Sequence, residues 1–95
     1  MVKHCIMIKL KDNSEVAKNE AKQKLLSMDG KVTMMRSFEV LSDFLGSERS
    51  YDIFLSCTLD DEKALEEYQN DPYHCEIKVY IREVASSVIA VDSII

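Results

Sequence analysis

The sequence predicts an α+β domain of the ferredoxin-like plan β-α-β-β-α-β. Three observations lead there. Segments of alternating apolar residues open, divide and close the chain. Two amphipathic helical segments lie between them. The whole is 95 residues, the size of one domain.

The first strand is read in VKHCIMIKLK, where Val2, His4, Ile6, Ile8 and Leu10 share one face and Lys3, Cys5, Met7, Lys9 and Lys11 the other. A helix follows. Asp12, Asn13 and Ser14 are all good N-caps, and Ala17, Ala21, Lys24, Leu25 and Met28 mark one helical face. Gly30 suits the stop. A second strand, with room for a bend, is expected over 31–44, with Phe38, Val40 and Ser42 pointing one way. Gly46 supplies the following turn. The third strand is YDIFLSCTL, residues 51–59, with Tyr51, Ile53, Leu55, Cys57 and Leu59 on one face. A short acidic helix, capped by Asp60 or Asp61, then presents Ala64, Leu65 and Tyr68. Asp71-Pro72 breaks it and restarts another: Asp71 is an apt N-cap, and Pro72 fits a first helical position that needs no N–H bond. VIAVDSII, residues 88–95, closes the chain as a fourth strand.

A sheet of this plan has helices on one face only. Its other face still carries apolar side chains, too many to leave wet. A sheet-against-sheet homodimer with a barrel-like interior is therefore expected.

Composition excludes several function classes. Hydrophobic residues make up 46% and charged residues 31%, the balance of a soluble globular chain. The formal net charge is -5, and Lys and Arg form no basic stripe, so no nucleic-acid partner is expected. No apolar run approaches the ~20 residues of a membrane span, and Met1-Val2-Lys3-His4 leads straight into a strand without a signal peptide. Cys5, Cys57 and Cys75 are odd in number and form no CxxC pair. They read as reduced thiols of a cytoplasmic protein. Neither a cofactor motif nor a metal-ligand spacing is present: two histidines with Asp71, Glu76 or Asp92 do not make a site.

Several stretches carry a family resemblance. MVKH at the start, SFEV after the first helix, SYDIFLSCTLDDEKALEEYQNDPYH and the terminal VIAVDSII together resemble the stress-responsive A/B barrel domain (Dabb) family. The resemblance spans nearly the whole chain in order. It implies a dimeric α+β barrel with a ligand-sized cavity in each protomer. The family includes plant stress proteins, uncharacterised bacterial proteins and a plant polyketide cyclase. In that cyclase a Tyr and a His of a Y-x-x-H-P-x-H segment carry acid-base chemistry, with an N-terminal strand His nearby. On that pattern Tyr68 matches the Tyr, His74 the final His and His4 the N-terminal His. Asp71 departs from it, standing where the family usually has its first motif His. One imidazole is thereby lost at the mouth of the site.

Each candidate residue has two readings. His74 either helps cap the helix that begins at Pro72 or faces a cavity as a neutral-pH proton carrier. Tyr68 either packs in the core or donates to a substrate oxygen. Because the two straddle a helix break, spacing does not say whether they meet. His4 is either a satisfied interior residue or a supporting catalytic group. Asp92, alone among apolar neighbours on the last strand, is either solvated or set to hold one nitrogen of His4. A Cys75–His74 nucleophile pair is disfavoured, since adjacent helical residues point about 100° apart.

Three functions fit these readings. One is a small-molecule binding protein of unknown ligand. The second is a cofactor-free acid-base enzyme, cyclase-like or a related lyase or isomerase, acting on a keto compound with His74 as base, Tyr68 as donor and His4 in support. The third is a structural dimer module with a filled interior. An open cavity beside His74 separates the first two from the third.

Overall fold

Alternating apolar residues put one set of side chains on each face of a strand, and the structure uses both faces. It is a computed structural model describing residues 1–95. Strands β1 (Val2–Leu10), β2 (Ser37–Ser42), β3 (Ile53–Leu59) and β4 (Ala85–Ile94) form one antiparallel sheet in the order β2-β3-β1-β4. With helices α1 (Glu15–Leu26), α2 (Glu62–Asn70) and α3 (Pro72–Val84), the chain order is β-α-β-β-α-α-β, the expected plan with its second helix in two pieces. Val2, Ile8 and Leu10 of β1 pack with Ile53, Leu55, Cys57 and Leu59 of β3 beneath the helices. No helix is long and apolar enough to cross a membrane.

The helix boundaries follow local chemistry. Of the three candidate caps for α1, Ser14 is used, its side chain accepting from the N–H of Ala17. Asp61 caps α2 in the same way through Ala64. A single residue, Asp71, separates α2 from α3. Its ψ of 129° is extended, as a residue before proline tends to be, so the helical path breaks there. Asp71 Oδ2 then accepts from the N–H of His74 at 3.0 Å and starts α3.

Four sequence expectations are corrected. Lys24 is exposed and is not part of the core face of α1; Lys18 is buried there instead. Its stem lies with Ala21 and Leu25 while Nζ reaches out to the Asp43 carbonyl and the Glu15 carboxylate. The second strand is shorter than residues 31–44, because Gly30 takes a φ of 80° and the chain from Met28 to Val32 stays in turns that bury Val32. The third strand starts at Ile53. Asp52 is occupied otherwise: its N–H donates to the Ile8 carbonyl, and its carboxylate accepts from the N–H of Leu10. The last strand begins at Ala85, three residues earlier than the apolar run suggests, and pairs with β1 over its length.

The face of the sheet away from the helices is bare in the single chain. Met7 of β1, Leu41 of β2, and Ile89 and Val91 of β4 are exposed there. Phe54 of β3 is half-buried among them.

Candidate functional site

Strand register and the α2–α3 break bring four polar residues together. His4 on β1 lies directly across from Asp92 on β4. Both side chains point to the helix-covered face, and His4 Nδ1 pairs with Asp92 Oδ1. The carboxylate accepts, so Nδ1 carries the proton and Nε2 is left for other use. Asp92 is partly solvated all the same, its side chain 41% exposed. The strand pairing thus satisfies both sequence readings of Asp92 at once.

Tyr68, from the last turn of α2, is fully buried above His4. Their rings meet edge to face with centroids 5.3 Å apart. His74, from the first turn of α3, stacks on Tyr68 with ring centroids 4.0 Å apart. Its Nδ1–H donates to the Tyr68 carbonyl at 2.9 Å, which helps close the C-terminal end of α2. Imidazole, phenol and imidazole therefore form one contiguous group. The structure joins all three sequence candidates, with Asp92 behind them.

Each has a free polar atom. No hydrogen bond within the chain uses His4 Nε2, His74 Nε2 or the Tyr68 hydroxyl, yet no fully buried side-chain polar atom lacks a partner. His4 and His74 stay slightly exposed, at 4% and 7%, Tyr68 is enclosed, and all three residues border one open space. That space is a cavity of about 400 Å³ between the sheet and α3, walled mainly by apolar side chains such as Ile6, Leu55, Ile77 and Ile81.

Burial sets the protonation states. It lowers the His74 pKa to about 4, outweighing the bond to the Tyr68 carbonyl, with the Lys78 charge adding to the effect. His74 is neutral at pH 7, with a lone pair on Nε2. Burial also raises the Tyr68 hydroxyl well above its ordinary value, so it stays a proton donor. The Cys57 thiol beside them is pushed up to about 12 by burial and remains an unreactive thiol. Cys75 does not pair with His74; its Sγ approaches the Gln69 carbonyl at 3.7 Å.

Asp71 is engaged by the backbone of α3, so it cannot also stand in for an imidazole at the cavity mouth. Two residues that the sequence reading passed over line the cavity, Lys78 and Arg82. Their signal was present: with His74 they repeat every four residues along α3.

Comparison with the curated proteins finds no match. Solved structures do share the fold. A dimeric protein of unknown function and ferredoxin-like fold from Bacteroides fragilis superposes with a TM-score of 0.82 at 24% identity, covering 99% of this chain and 95% of that one. A dimeric ferredoxin-like protein from Thermobifida fusca gives 0.85 at 17%, covering 99% and 90%. The hydroxynitrile lyase of Passiflora edulis gives 0.84 at 11%, covering 99% and 92%. The sequence model of the stress responsive A/B barrel domain matches residues 2–95, and this chain belongs to that family.

Proposed function

We propose that the protein is a homodimer whose protomers each bind a small, largely apolar molecule carrying an oxygen function. One observation carries the reading: His4, Tyr68 and His74, each with a polar atom unbonded within the chain, line one largely apolar cavity. A ligand oxygen placed among those atoms would give them hydrogen-bond partners. Tyr68 would donate to that oxygen and His74 Nε2 would accept from a hydroxyl. The dimer is supported by the bare apolar sheet face and by structural neighbours described as dimeric.

The test is a titration with 4-hydroxyacetophenone followed by imidazole nitrogen NMR. Shifts of both the His4 and His74 Nε2 resonances are expected at millimolar ligand. If neither ring responds, the cavity does not take such compounds and the reading is wrong.

A second reading, acid-base catalysis, is favoured by the His4–Asp92 pair. A carboxylate behind an imidazole orients it and offsets the positive charge gained when the outer nitrogen takes a proton. His4 then suits the base and Tyr68 the donor to a developing oxyanion. His74, neutral and fixed by the Tyr68 carbonyl, suits orientation more than proton uptake. This exchanges the roles of the two histidines relative to the expectation from sequence. Asp92→Asn would lower turnover of a keto or cyanohydrin substrate and leave its binding nearly unchanged; equal turnover in that variant would dismiss the role.

A further inference from the structure

The cavity lining carries two cations against one carboxylate in a chain that is acidic overall. Lys78 and Arg82 both line the cavity, one and two turns beyond His74 on the same side of α3. Neither takes part in any of the three ion pairs of the chain. Lys78 Nζ donates to the Gln69 carbonyl at 2.9 Å and has two further donors to offer. Arg82 has no side-chain hydrogen bond within the chain and keeps its guanidinium fork free. The single carboxylate lining the cavity, Asp92, is engaged by His4. That carboxylate offsets one of the two cations, and the lining keeps an excess of one positive charge. The sequence carries 17 acidic and 12 basic residues, so unpaired cations side by side are not a consequence of a general positive excess.

We propose that the ligand is a small amphipathic organic anion whose acidic head, a carboxylate or a phosphate monoester, sits between Lys78 and Arg82. This rests on the reading of the cavity as a small-molecule site and names the class of molecule it takes. Helical rise sets the dimensions: Lys78 is about 6 Å and Arg82 about 12 Å along the axis from His74. The apolar body lies against Ile77 and Ile81, which flank the charged row on the same helix. The oxygen function reaches Tyr68 and His74 at the inner end. A planar oxyanion head matches the Arg82 fork in two parallel bonds, and Lys78 adds a point charge. Such a head would also offset the positive field that Lys78 exerts on His74.

The test compares 3-phenylpropanoate, its primary amide and 2-phenylethyl phosphate by calorimetric titration at low salt. At least one anion is expected to bind about tenfold more tightly than the amide, as charge-assisted hydrogen bonds imply. The preference should shrink with added salt. Whichever anion binds more tightly identifies the head. In Lys78→Gln/Arg82→Gln, with the fold checked by circular dichroism, the anion preference should fall to twofold or less while amide binding persists. Equal binding of all three compounds to the native protein overturns the anion proposal and leaves the cavity reading standing. No binding of any compound at millimolar concentration overturns both. An anion preference that survives the double substitution also overturns the proposal, since the charge would then be read elsewhere.

Discussion

The ring of His74 stacks on the ring of Tyr68 at 4.0 Å while its Nδ1–H bonds the carbonyl of that same Tyr68. One residue thus braces its neighbour twice, once through the side chain and once through the end of α2. The bond commits Nδ1, so any chemistry at His74 takes place at Nε2. It also makes structure and function inseparable at this position: the ring closes a helix end and faces the cavity at once.

A consequence for pH follows from burial of His74. Its folded-state pKa of about 4 lies below the ordinary 6.5, so the unfolded chain binds more protons between those values. Stability is full above about pH 6.5, falls as pH drops toward 4, and levels off for this group below that. The loss attributable to His74 is on the order of 3 kcal/mol. Urea unfolding at pH 7.5 and pH 4.5 measures it. The same comparison on His74→Gln should show a clearly smaller drop, because the remaining slope comes from other groups.

Tyr68 separates packing from hydroxyl chemistry. Tyr68→Phe keeps the ring stacks and removes an oxygen that bonds nothing within the chain, so stability should change by under about 0.5 kcal/mol. Binding of 4-hydroxyacetophenone should weaken by about tenfold, the worth of one buried hydrogen bond. Tyr68→Ala instead empties a fully buried site and should cost about 3–5 kcal/mol. Chemical denaturation and the titration described above measure both effects.

Asp71 is predicted to act on folding. Its carboxylate caps α3 through the N–H of His74. Asp71→Ala should lower stability by about 1 kcal/mol. Asp71→His, which places there the imidazole that the family resemblance implies, should lose most of the same cap energy. Denaturant midpoints of the two variants should therefore fall together below the native value.

The bare sheet face makes the oligomer testable. Sedimentation at micromolar concentration should show a dimer and no folded monomer. Val91 is 66% exposed in the single chain and lies on that outer face. Val91→Glu should place a charge in the apolar contact and shift the protein toward monomer, with partial unfolding by circular dichroism. A native protein that sediments as a folded monomer would remove the proposed dimer.

Much of this was legible in the residues themselves. Period-two alternation assigned the faces of β1 and β3, down to His4 standing in an apolar row. Ser14, Asp61 and Asp71-Pro72 placed three helix starts, since capping and proline geometry are local and depend on a few adjacent residues. Local rules failed where a distant contact won: Lys18 is buried with its Nζ donating to the Asp43 carbonyl, and Asp52 leaves its strand for bonds to Ile8 and Leu10. The sequence named the site's residues, but their convergence belongs to that second kind. Spacing could not join residues 68 and 74 across a break, nor show that residues 4 and 92 face one another. Antiparallel register and the turn at Asp71 decided both, because pairing across a sheet and the angle between helices are set by packing of the whole chain.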